Sequence, residues 1–83
     1  RRPPGVTVRR VGTVVRTAGG LAIARGDSGA DPPRIGATVV DESLSTVGRV
    51  VDVFGPVDRP YVAVTPGDGV GLPDVVGGKL YAR

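Results

Sequence analysis

The stretch VGRVVDVFGPVDRPY, residues 47–61, decides how the rest of the chain reads. Five of its first eight positions are apolar, and the valines among them are β-branched, so residues 47–54 form a strand. The strand stops at Gly55-Pro56, because proline has no N–H to donate to a ladder and fixes its own φ. Pro60 follows four residues later, and each residue before a proline, Gly55 and Arg59, is biased toward extended backbone. The 55–60 connection is therefore stiff before anything docks on it. Phe54 and Tyr61, two of the three aromatic residues in the chain, flank it.

Outward from this stretch, the composition repeats the same preference. Seventeen valines carry most of the apolar surface, while 14 glycines and eight prolines supply turns and leave little room for a helix of ordinary length. The class is all-β. At 83 residues the chain is one domain near the size where a single core is barely sufficient. It has no cysteine for a disulfide, and neither cysteine nor histidine for a zinc site, so no metal site is expected. Stability must come from a closed or well-covered sheet, from self-association or from a standing partner.

The strands follow from β-branched runs between turn residues. RRPPG is an extended basic lead-in, residues 1–7. A long strand covers about residues 8–17, with Gly12 marking a bend or bulge. AGG turns into a second strand, LAIAR, and GDSGADPPR is a loop. IGATVVD gives the third strand, 47–54 the fourth, YVAVT the fifth and KLYAR the last, with PGDGVGLPDVVGG a long loop before it. Six short strands with turns between them indicate a small six-stranded antiparallel β-barrel over residues 8–83. Val11-Gly12-Thr13-Val14-Val15 is echoed by Val47-Gly48-Arg49-Val50-Val51, either as a duplicated strand–bend unit or as coincidence in a Val/Gly-rich chain. In the fourth strand, Val51 and Val53 compete with Val50 and Phe54 for the inner face.

Chemistry is absent. Nucleophilic catalysis needs an activated Ser, Cys or Lys near a base, and the single lysine, Lys79, lies in the closing strand. Asp41 and Glu42 are adjacent and point to opposite sides of an extended backbone. Asp27, Asp31, Asp68 and Asp74 sit beside Gly or Pro, where carboxylates cap turns. GDGVG is not read as a phosphate loop, since no helix is expected after it and it has no Lys-Ser/Thr pair. The chain is not expected to be an enzyme or to need a cofactor. It has no run of 18 apolar residues for a spanning helix and no signal-peptide pattern, so an intracellular address is expected. The lack of any methionine implies a start upstream or a trimmed core.

Charge is uneven. Residues 1–25 hold six arginines and no acid, whereas residues 26–83 hold five basic and eight acidic residues. Such an arm can touch RNA phosphate through Arg1, Arg2, Arg9 and Arg10, or can be a solvated terminus. No aromatic residue is interleaved with it in sequence, so a base-stacking face is not expected.

The proline-braced connection presents two alternatives. Its rings cap the barrel end, or the loop is a handle for another protein, since a pre-ordered apolar loop loses little entropy on binding and rigid rings anchor interfaces. A resemblance bears on the choice. Gly48 to Val50, Phe54-Gly55-Pro56, Pro60-Tyr61 and Leu80-Tyr81 resemble the pattern of the Gar (glycine–arginine-rich) subunit family of H/ACA ribonucleoproteins, and VGTVVRTAGGLAIAR suits that family's first hairpin. The resemblance implies a barrel of the kind found in translation-factor second domains. It also implies a non-catalytic subunit that binds a dyskerin-type pseudouridine synthase, tunes substrate loading and product release, and meets the H/ACA guide RNA complex mostly indirectly. The docking patch would then comprise Phe54, Gly55, Pro56, Val57, Pro60 and Tyr61, with Ile35 and Val62 as neighbours. Eukaryotic members carry long Gly-Arg tails, so an archaeal, cytoplasmic member is expected here, and a nucleolar one if the source is eukaryotic. The alternative function is a stand-alone RNA-binding barrel acting through its arginine-rich arm.

Overall fold

A computed structural model describes residues 9–26 and 32–83. It contains β1 (Arg9–Ala18), β2 (Leu21–Arg25), β3 (Thr38–Val40), β4 (Thr46–Phe54), β5 (Tyr61–Pro66), α1 (Leu72–Val75) and β6 (Lys79–Ala82). The strands close into an antiparallel barrel in the order β1-β2-β5-β4-β3-β6. Closure removes both sheet edges, which is how so short a chain lacking disulfides keeps its backbone polar groups paired. Valines and alanines fill most of the interior, among them Val14, Val39, Val50, Val64 and Ala24, with Leu80 the largest fully buried side chain.

The strand limits agree with the sequence reading to within a few residues, the largest difference being at the third. Thr38–Val40 is shorter than the IGATVVD run, because Ile35 and Gly36 form a turn ahead of it. The PGDGVGLPDVVGG segment is a correction: it holds the single-turn helix α1, opened by Pro73, with Leu72 and Val75 packed on the core. Carboxylate caps occur at Asp41, whose Oδ1 accepts the Ser43 and Ser45 N–H groups (2.8 and 3.0 Å), rather than at Asp68 or Asp74. Asp27, Asp31 and the 1–7 lead-in lie outside the described residues.

The parity of β4 is settled by two bulges. Ladder register slips at Val47 against β3 and at Val51 against β5, so Val47, Val50 and Val53 all turn inward while Val51 and Phe54 turn outward. The echoed segment of β1 does the same thing: register slips at Val11 against β6 and at Val15 against β2. Val14 exchanges backbone hydrogen bonds with Gly77 and Gly78 (2.8 and 3.0 Å), just as Val50 does with Gly36 and Ala37 (2.7 and 3.0 Å). Gly12 and Gly48 fill equivalent places. A Cβ on either would collide with a backbone carbonyl, that of Arg25 or Thr65 respectively. The barrel is thus two similar β-β-β halves related by an approximate two-fold axis through the Ile23–Ala63 and Val40–Tyr81 pairs.

Candidate functional site

β4 and β5 end at a directly opposed pair, Phe54 and Tyr61. Their rings stack with centroids 5.6 Å apart and planes inclined by 20°. They lie on the outside of the barrel wall instead of plugging its end. Phe54 keeps 39% of its surface exposed. Gly55, with a left-handed φ of 92°, lies so close that a Cβ would come within 2.9 Å of Tyr61 Cδ2. Pro56 O accepts the Arg59 N–H (3.2 Å), closing a turn whose tip is Val57, 94% exposed. Two further bonds fasten the loop to the end of β2: the Gly26 N–H donates to Pro60 O (2.9 Å), and Arg59 Nε donates to Gly26 O (3.2 Å). An apolar tip therefore stands on a connection closed by one internal bond and tied to Gly26 by two.

The arginines of β1 and β2 complete this face. Arg25 is opposite Tyr61 in the β2–β5 ladder, with its guanidinium 5.6 Å from the ring centroid. Arg16 is opposite Ile23, and its guanidinium reaches a point 5.8 Å from the same centroid. Ile23, opposite Arg16 in the ladder, is only 4% exposed although it lies outside the core cluster. Phe54, Tyr61, Arg16 and Arg25 thus form one continuous surface over a small second apolar layer, Ile23 and Ala63.

Several expected site residues sit elsewhere. Val62 is 1% exposed and points into the core, opposite Val53, so it is no neighbour of a docking surface. Pro60 is buried and serves through its carbonyl as a brace. Ile35 is 66% exposed, but its turn bonds to the middle of β4 through the Gly36 N–H and Val50 O. Arg1 and Arg2 lie outside the described residues, and Arg9 and Arg10 are exposed at the start of β1, beside β6. The separation of rings from basic residues is also overturned: Arg16 and Arg25 meet Tyr61 because β2 pairs with β5, a non-consecutive pairing that no local pattern announces. Among the described residues no group of three acids, histidines or cysteines could hold a metal.

Comparison with known proteins bears on the family and the fold. Residues 8–83 match the family described as "Gar1/Naf1 RNA binding region". An uncharacterized protein of Methanocaldococcus jannaschii is 39% identical over 51 residues, 61% of this chain, and the match spans 58% of that relative's length. A solved structure of the Gar1 domain of Naf1 superposes with a TM-score of 0.69, covering 99% of this chain and 88% of that one at 12% identity, which establishes the shared barrel. The chain belongs to the Gar1/Naf1 RNA-binding-region family, auxiliary RNA-binding domains of H/ACA ribonucleoproteins and not a known enzyme family.

Proposed function

We propose that this domain docks onto the catalytic subunit of a dyskerin-type pseudouridine synthase through the Phe54–Tyr61 end of the barrel. In that position it would tune substrate loading and product release during guide-directed pseudouridylation, meeting the guide RNA complex mostly indirectly. In an archaeal cell the work takes place in the cytoplasm, and in a eukaryotic one in the nucleolus. The observation that carries the reading is Val57, exposed at the tip of a loop bonded twice to Gly26 and lying beside two stacked rings. Such a surface binds with little ordering cost, roughly 0.5–1.5 kcal/mol being spared for each side chain already fixed. Pro56 and Gly55 shape the loop and Pro60 anchors it, so their contribution is geometric.

Pull-down of the synthase by a Phe54→Ala, Val57→Asp double variant tests this. Both side chains project from the surface, so the fold should survive, as circular dichroism would show, while capture is lost. Undiminished capture by the folded variant would sink the reading. The second reading, a stand-alone RNA-binding barrel, is favoured by the exposed Arg9 and Arg10 at the root of the basic arm. It requires RNA affinity that falls steeply with salt and depends on those two residues.

A further inference from the structure

A second outer face, at the other end of β4, is polar where the first is apolar. Arg49 faces outward with Thr38 opposite it on β3 and Thr65 opposite it on β5. The Arg83 N–H donates to Thr38 O (2.9 Å), so the row continues onto the chain after β6. Alternation beyond the inward Leu80 and Ala82 sets Arg83 on the same outer face. Across neighbouring strands the order is therefore Arg83, Thr38, Arg49, Thr65. Thr38, Thr46, Arg49 and Thr65, with the Gly48 corner and Pro66-Gly67, line a cleft of about 420 Å³. No carboxylate and no aromatic ring lines it. The Arg49 guanidinium makes no hydrogen bond or ion pair to the described residues.

We propose that the Thr38–Arg49–Thr65 cleft is a phosphate-binding site for the backbone of single-stranded RNA. A guanidinium between two hydroxyls supplies a forked, charged donor and two adjustable ones, the groups that phosphate oxygens accept from. Without a ring the cleft cannot stack a base, so its contact is independent of sequence. Arg83 stands two strands from Arg49, about 10 Å away at ordinary strand spacing, which suits a chain of phosphates better than one isolated anion. The assignment rests on membership of an RNA-binding family and is independent of synthase docking. Arg49 and Phe54 are five residues apart on β4, ~17 Å along the strand.

Titration of a short, mixed-sequence single-stranded RNA against the full chain at several salt concentrations provides the test. Arg49→Gln should weaken binding several-fold at low salt and reduce the slope of log affinity against log salt by about one. Arg49→Lys should restore the slope but not all of the affinity, because it returns the charge without the fork. A Thr38→Val, Thr65→Val double variant should lose affinity with the slope unchanged. Capture of the synthase by Arg49→Gln should match wild type, which separates this site from the docking patch. The proposal is overturned if Arg49→Gln binds RNA as the parent does. It is overturned equally if inorganic phosphate shifts the Thr38 and Arg49 amide resonances but the RNA leaves them unmoved.

Discussion

Leu44 has a backbone of the left-handed kind, φ 65°, the only such non-glycine residue among those described. It sits in the turn that Asp41 organises, where the Leu44 N–H donates to Asp41 O (3.0 Å). A branched side chain in that conformation costs about 1–2 kcal/mol, whereas asparagine adopts it readily. Leu44→Asn is expected to raise stability by about 0.5–1 kcal/mol in urea denaturation, and a loss of stability would contradict this account. At the same scale, Phe54, Gly55 and Tyr61 could be picked out from the sequence, since a Pro-bounded turn flanked by rings is a local signal. Arg16 and Arg25 could not be placed on Tyr61, because their meeting depends on which strands become neighbours. Pro60 and Val62 were indistinguishable from exposed residues for a related reason. Burial at a loop's root depends on what the other end of β2 supplies, in this case Gly26.

Among the elements, β4 shows how one strand can serve an interior and two exteriors. Its bulges at Val47 and Val51 reset the alternation twice, so three valines spaced three apart all reach the core. A strict period of two could not yield that arrangement, which is why the inner face of residues 47–54 stayed ambiguous in the sequence. Gly48 makes the first reset possible by letting the Thr65 carbonyl come into the space of a Cβ. Gly48→Ala should therefore destabilise by about 3 kcal/mol or more, since the obstruction is backbone and cannot swing aside. Gly12→Ala should behave alike in its own half. Chemical denaturation of both variants checks the pair, and near-wild-type midpoints would refute the equivalence. α1 escaped the reading because a single turn leaves no periodicity, and only the packing of Leu72 and Val75 on the core fixes it.

In the whole molecule, each half lends its third strand to the other. β3 follows β2 in the chain but pairs with β4 and β6, and β6 pairs with β1 and β3. Neither half can bury its valines alone. Chains cut in the Asp41–Ser45 turn should each be unfolded by amide dispersion and assemble into one barrel when mixed. Native-like dispersion from either fragment alone would contradict this. Fold class, strand number and closure were legible because β-branched runs, frequent turns and a missing helix period leave few alternatives. The order of strands around the barrel was not, since it depends on pairings between residues far apart in the chain.

Closure has one more consequence. With every strand flanked on both sides by another, a visiting peptide finds no whole strand edge to join among the described residues; the ends of β1 past Val14 and of β4 past Val50 have a ladder on one side alone. Most of what the barrel offers a companion is outward side chains and loop tips, the positions whose replacement leaves the interior untouched. Selection could thus retailor what this scaffold holds on to while its architecture stays the same.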